Sequence, residues 1–527
     1  MDVRTYRKGA TSSPHHLASQ SGLDILKDGG NAVEACVGMA ATLAVVYPHM
    51  TGLGGDGFWM VSEPDGSVHA IHACGAAASA VSVDFYKDRG HKTIPWRGPL
   101  AALTPAGTVS GWQEALDATG SKLSLSRILR DAIHYAQEGV EVTAGGAETA
   151  ASKDSELKDV SGYADVFRPG ARPLSKGSLL KQPALARTLK RLCEAGLRDI
   201  YEGELAKDIA ADLARAGSPL TAADLASQRA ERLAPLTVRV REGELFNTGP
   251  PTQGMTSLLI LALFDRFEPA SPDSFAHIHT LVEATKQAFI RYKEVGLGDP
   301  AYMATNAQTQ LDDSEQLQRL GERIALDKAL PWPHVSEPGD TTWFGAADAD
   351  GRVVSAIQST YFEFGSGVVL PETGITWQNR GTSFSLHEDG WNALKPRRKP
   401  FHTLNPALAR LNDGRTLAYG TMGGEGQPQT QAAIFTRYAR YGIPLEDAIA
   451  APRWLLGRTW GERSVSLKLE GRFPSDLCDD LHTAGHDVEI VKDFSTVMGH
   501  AGAVCRHSDG TVEAASDPRS DGSALAW

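Results

Sequence analysis

The hydrophobic pattern divides the chain into a helix-rich first part and a second part that opens with strands. Leu17, Gly22, Ile25 and Leu26 recur at helical spacing, and Gly29-Gly30 close that helix. Asn31 then caps a second helix of small residues that runs through Val45. Phe58-Trp59-Met60-Val61 reads as a strand. Residues 107–330 are mostly helical by their Ala/Leu periodicity, although Leu236 to Arg241 alternate as a strand does. Pro250-Pro251-Thr252-Gln253-Gly254 break the chain before a helix over Met255–Phe264. Phe275, Ile278, Leu281, Val282, Phe289 and Ile290 then repeat with helical period behind a cap at Asp273 or Ser274. Pro331, Pro333 and Pro338 punctuate an exposed, flexible lead-in that ends at Gly339. Beyond it, Trp343–Ala347 and Arg352–Ile357 form two short strands around an Asp350-Gly351 turn.

Composition narrows the function. With 527 residues, 42% apolar and 22% charged, the chain has ample core for a soluble globular protein. A net charge of −12 argues against a nucleic-acid partner, which needs a basic face. The longest apolar run, Ala35 to Tyr47, is too short to span a bilayer, so no membrane partner is expected. The N-terminal stretch has charge but no apolar signal-peptide core, and five scattered cysteines without CxxC spacing fit a reducing compartment. A cytoplasmic protein is the expectation. Gly52-Leu53-Gly54-Gly55-Asp56-Gly57 lacks the Lys-Ser/Thr of a phosphate loop, and His15-His16 lacks the partners of a zinc motif. No cofactor and no metal are therefore expected.

One dipeptide changes the picture. Thr341 and Thr342 follow Asp340 at the mouth of the first hairpin strand. A threonine inside a chain is a poor nucleophile. One that becomes a new N-terminus carries its own base, an α-amine with a pKa of roughly 7.7–8.0. The stretch DTTWFGAADADGRVVSAIQSTYFEFGSGVVLPETGI resembles the start of the small subunit in the γ-glutamyltransferase family of N-terminal-nucleophile (Ntn) hydrolases. GGNAVEA, PHMTGLGGDGFWMV, KPFHTLNPAL, LAYGTMGGEGQPQTQAA and ASDPRSDG match further family blocks, in the family's order.

The resemblance implies a precursor that cuts itself between Asp340 and Thr341. It would yield a large subunit 1–340 and a small subunit 341–527, together forming one four-layer αββα sandwich of the α+β class. It makes Thr341 the nucleophile, Ser359 a second hydroxyl that orients it, and Gly423-Gly424 the oxyanion hole. It also shows where this chain departs. His72 stands in place of the arginine that holds a γ-glutamyl α-carboxylate. Tyr361, Arg380 and Ser383 replace the Asn, Gln and Asp that hold the α-amine, and His402-Thr403 replace a serine pair. The segment between Phe384 and Lys399, a lid in several relatives, is shorter. Asp517 and Arg519 read as braces of the fold.

A site that gains Arg380 and loses an aspartate should repel an ammonium and attract a carboxylate. WQNRG, KPFHTLNPA and MGGEGQPQ resemble the branch that includes oxamate amidohydrolase, of purine degradation, and cephalosporin-acylase-like proteins. The expected activity is hydrolysis of a small anionic amide, with oxamate giving oxalate and ammonia. A γ-glutamyltranspeptidase or glutathione hydrolase, a glutaryl-type acylase and an unprocessed binding protein are the alternatives. The expected partners are the amide substrate and the two subunits of one precursor, with room for a dimer of processed heterodimers.

Overall fold

In a computed structural model of the protein, residues 6–332, 340–457 and 464–527 are described, Asp340 by its backbone alone. The lead-in to Thr341 lies outside the described residues from Pro333 to Gly339. Local signals set the first elements. Asn31 accepts hydrogen bonds from the Val33 and Glu34 amides while the Glu34 carboxylate takes the Asn31 N–H, a reciprocal cap on the helix Ala32–Val46. All of that helix is buried, as its lack of a polar face requires. It packs on the strands Asp340–Asp348 and Val353–Tyr361, and its Ala32 amide donates to Asp348 Oδ2 at 2.9 Å.

Those two strands lie inside a seven-stranded sheet. Its order is Ser523–Ala526, Gly9–Ser13, Asp340–Asp348, Val353–Tyr361, Asp56–Ser62, Val68–Ala73 and Glu231–Leu233, and every neighbouring pair is antiparallel. A six-stranded antiparallel sheet runs Val512–Ser516, Ala501–Arg506, Thr416–Thr421, Ala407–Leu411, Gly243–Asn247 and Leu236–Val240. The sheets meet at Trp343. A Cβ on Gly420 would lie 2.2 Å from its ring, and one on Gly502 would lie 2.4 Å away, so both positions must be glycine for the indole to fit. Its Nε1 donates to Ser355 Oγ at 2.9 Å. The helices Gly254–Phe264 and Gln427–Phe435 cover the second sheet, and Phe275–Val295, capped by Ser274 rather than Asp273, packs on them.

The hairpin strands are longer than the hydrophobic run suggests. The first begins at Asp340 because Thr342 pairs with Gln358 and Asp340 with Tyr361, as the apolar residues beyond them pair with theirs. Gly351 at the turn has φ 109°. The glycine-rich run before Asp56 lets chains touch: a Cβ on Gly55 would lie 2.2 Å from Ser359 O. Among the described residues no helix is long and apolar enough to cross a membrane. The five cysteines are free thiols.

Candidate active site

Register alone sets the surroundings of Thr341. Gln358 pairs with Thr342 and Tyr361 pairs with Asp340, so Ser359 and Thr360 together face Thr341 across a β-bulge. The bulge bends the strand and puts Tyr361 at φ 83°, a strained value for an aromatic residue. Ser359 Oγ accepts the Tyr361 N–H at 2.7 Å and holds the bend. Thr341 is buried, and its hydroxyl has no hydrogen-bond partner among the described residues. Thr342 differs: its hydroxyl donates to Gln358 O at 2.9 Å, as a bracing strand threonine does.

Gly423 and Gly424 form the turn between the strand Thr416–Thr421 and the helix Gln427–Phe435, with φ 115° and 54°. Gln253 Nε2 donates to Gly424 O at 2.8 Å and to Thr403 O at 2.5 Å, which ties this turn to the His402-Thr403 pair. The Thr403 hydroxyl is buried without a partner among the described residues. On the far side of the turn, Arg453 donates to the Met498 and Gly499 carbonyls, and Asp517 pairs with both Arg453, at 2.6 Å, and Arg519, at 3.0 Å. Asp517 and Arg519 are thus buried braces.

Arg380 is 1% exposed, and its guanidinium lies 3.5 Å above the centre of the Tyr361 ring. It reaches the Phe401 carbonyl at 3.5 Å, and Ser383 Oγ donates to the same oxygen at 3.2 Å. His72 and His402 both pack edge-on with Phe58, at ring-centre distances of 5.3 and 4.9 Å. Burial holds His72 down at about 3 and His402 well below the ordinary imidazole range, the latter helped by Arg380. Both imidazoles are therefore neutral near pH 7. The Phe384–Lys399 segment is a folded loop: Asn392 Nδ2 donates to Ser383 O at 2.8 Å, and Arg398 donates to Ala393 O at 3.0 Å.

Asp56 belongs to this group although the pattern of glycines around it drew attention elsewhere. It is the cross-strand partner of Ser359. Its Oδ1 accepts from the Gly75 amide at 3.2 Å, the Gly107 amide at 2.9 Å and Gln378 Nε2 at 3.0 Å. Its Oδ2 stands 3.4 Å from His402 Nε2. Burial pushes the Asp56 carboxyl up to about 7, against the pull of those donors and of Arg380. A carboxyl group thus lies against His402 and within the field of Arg380. The available signal was one charge at the head of an otherwise apolar, buried strand.

The matching family model is Gamma-glutamyltranspeptidase, over residues 18–527. The oxamate amidohydrolase proenzyme of Klebsiella pneumoniae is 52% identical over 523 residues, 98% of this chain and 98% of its own. The glutathione hydrolase-like YwrD proenzyme of Bacillus subtilis is 42% identical, with 97% of each chain covered. Among solved structures, cephalosporin acylase from Bacillus halodurans superposes with a TM-score of 0.91 at 31% identity, covering 100% of this chain and 97% of its own.

Proposed function

The chain belongs to the gamma-glutamyltranspeptidase family of Ntn hydrolases, and from that premise we propose a self-processing threonine amidohydrolase that acts on oxamate. The observation that carries this reading is the buried, uncommitted hydroxyl of Thr341 at the head of an internal strand. In the precursor that hydroxyl attacks the Asp340 carbonyl carbon. The peptide becomes an ester as the acyl group moves from nitrogen to oxygen, which frees the Thr341 amine, and water then hydrolyses the ester to release the Asp340 α-carboxylate and restore the Thr341 hydroxyl. The products are a large subunit 1–340 and a small subunit 341–527, sharing one αββα sandwich.

In the processed enzyme the Thr341 amine takes the hydroxyl proton as Oγ attacks the substrate's amide carbon. Ser359 orients the nucleophile, and the Gly423-Gly424 amides hold the oxyanion, a preorganised arrangement at the positive end of a helix. Collapse expels ammonia, with its proton returned by the amine, and leaves an oxalyl ester on Thr341. Water cleaves that ester to give oxalate and restores the hydroxyl. Arg380 takes the substrate carboxylate, while neutral His72 and His402, with Ser383, Thr403 and the Tyr361 ring, shape a pocket for a small acid amide.

Support for the anionic substrate comes from Arg380 and from the 52% identity to an oxamate amidohydrolase. A γ-glutamyl substrate would need a carboxylate for its α-ammonium. Asp56 is a candidate for that role, but its Oδ1 is saturated and burial favours its neutral form. Ammonia release from oxamate, glutamine and a glutaryl amide tests the proposal. A preference for glutamine or the glutaryl amide would overturn it.

A further inference from the structure

One row of side chains crosses the larger sheet at the level of Thr341. Two residues further along the strands, Trp343 pairs with Ile357 and Ile357 with Phe58. Trp343 lies against Gly420 and Gly502 of the smaller sheet, and Phe58 and Ile357 pack with Leu404. All three therefore face the smaller sheet. By the alternation of extended chain, Thr341, Ser359 and Asp56 face the same way. Thr341 and Asp56 are two strand spacings apart, roughly 10 Å between main chains, with Ser359 between them. Asp56 also lies in the field of the Arg380 guanidinium, so a carboxylate held by Arg380 is brought to it.

The two oxygens of Asp56 differ. Oδ1 takes three donors, the Gly75 and Gly107 amides and Gln378 Nε2, which fix the plane of the group. Oδ2 is buried and has no hydrogen-bond partner among the described residues, and neither has His402 Nε2, 3.4 Å away. A buried, ionised oxygen without a donor is costly, whereas a carboxyl O–H at that place leaves no charge unanswered. Four ionisable groups face Asp56: Arg380, His402, Cys74 and Tyr201. Burial keeps His402 neutral and pushes the Cys74 thiol and the Tyr201 phenol up. Lys399, beyond Cys74 and His72, is paired with Glu231 at 2.7 Å. Arg380 thus brings the positive charge to this group, and Asp56 the proton.

We propose that Asp56 is a second ligand for the substrate's carboxylate: its Oδ2–H donates a hydrogen bond to that group while Arg380 supplies the countercharge. This rests on the anionic-amide reading above. A carboxyl that donates to a carboxylate is a pair of acids sharing one proton, and the contact fails once both are ionised. Binding also turns the charge of Arg380 onto the incoming carboxylate, so the Asp56 proton is held more firmly in the complex. An α-ammonium meets the opposite: it offers only donors, and Oδ2–H is a donor too. The same proton therefore admits an acid and turns an amine away.

The test compares processed wild type with Asp56→Asn, whose amide oxygen keeps the three donors and whose Nδ2 stands where the O–H was. Burial pushes the Asp56 carboxyl up to about 7, so the wild type passes from mostly protonated to mostly ionised between about pH 6 and about pH 8. Over that range the ratio of kcat/KM for oxamate, variant to wild type, should climb about tenfold. Titration of the Thr341 amine is common to both proteins and cancels. A neutral amide of equal size has no carboxylate for Asp56 to repel, so its ratio should stay level. A level ratio on oxamate overturns the role of Asp56 and leaves the anionic-amide reading intact. Equal climbs on both amides overturn it too, because Asp56 would then act on the nucleophile. So does a variant that hydrolyses the neutral amide alone, since its Nδ2 should serve oxamate as the O–H does. Calorimetry of oxalate binding to wild type near pH 8, in buffers of different ionisation enthalpy, reads the proton directly. About one should be taken up per site, and none would overturn the proposal. A wild type that releases no ammonia from oxamate removes the substrate reading and this proposal together.

Discussion

Replacing Arg380 by glutamine separates recognition of a carboxylate from support of the fold. The guanidinium is buried, so a substrate carboxylate that reaches it exchanges water for a charge-assisted contact in a dry pocket. Losing such a contact costs about 1.5–3 kcal/mol, or roughly 10- to 150-fold in kcat/KM on an anionic amide. The upper end is expected, because glutamine leaves the carboxylate buried without a countercharge. The substitution also removes the guanidinium from Tyr361 and Phe401 O, which should lower stability by about 1–2 kcal/mol. Asp56 responds as well. Arg380 now holds its acidity against burial, so without Arg380 its carboxyl moves above about 7 and stays protonated near neutral pH. Repulsion by Asp56 should therefore add little to the loss at slightly acid pH and more as rising pH ionises it. Ammonia release from oxamate and from a neutral amide of equal size, in wild type and Arg380→Gln, provides the measurement. A large loss on oxamate with little change on the neutral amide supports the assignment. Equal losses on both would show that Arg380 serves the fold, and a wild type that prefers γ-glutamyl-p-nitroanilide would refute the substrate class.

Other outcomes follow from the same geometry. Thr341→Ala should leave a full-length chain, and N-terminal sequencing of the smaller wild-type fragment should read Thr-Thr-Trp-Phe; any other start moves the nucleophile. Replacing the Gly424 amide by an ester deletes that backbone donor while keeping the φ of 54° that proline cannot adopt, and should cost roughly 2.7–4 kcal/mol of transition-state stabilisation, about 10²–10³ in kcat. Activity within a few-fold of wild type would place the oxyanion hole elsewhere. Asp56 binds its proton more tightly folded than unfolded, so its contribution favours folding below about pH 4 and is lost as pH rises to about 7. Asp56→Asn should accordingly gain roughly 2–3 kcal/mol on wild type between about pH 5 and pH 8, read from urea melts; a pH-independent difference contradicts the burial argument. Gly420→Ala should destabilise by about 1–3 kcal/mol, because its methyl meets the Trp343 ring, and a parallel Trp343→Phe/Gly420→Ala pair should recover part of that loss.

What the sequence revealed, and what it concealed, divides along local and non-local lines. The cap at Asn31, the stop at Gly29, the break before Met255 and the hairpin turn at Gly351 each depend on residues within a few positions of one another. Such signals are visible in a linear string. The β-bulge that sets Ser359 and Thr360 opposite Thr341 is a matter of register between strands, and no residue type announces it. Asp56 draws its hydrogen bonds from positions 75, 107 and 378, which are joined only in the folded chain. The same holds for Gln253, whose link between the glycine turn and Thr403 had no sequence signature. The matched family blocks located Arg380 and His402 as departures. They could not show that the two share a buried space with a carboxyl that burial pushes up to about 7.

The order of strands in the larger sheet has a consequence for the life of the molecule. A cut before Thr341 would leave Ser523–Ala526 of the second piece beside Gly9–Ser13 of the first, then residues 341–348 and Val353–Tyr361 of the second, then Asp56–Ser62 of the first. The two pieces are woven, so three ladders of backbone hydrogen bonds in this sheet, and a fourth between Gly243–Asn247 and Ala407–Leu411 in the other, would have to open before they could part. Each piece alone would expose bare strand edges and a half-core, an aggregation-prone state. The covalent connection is then an instruction for assembly that becomes redundant once obeyed. Denatured and returned to buffer, the mature pair should fail to reassemble even though its precursor folds, and its durability is a matter of kinetics rather than equilibrium.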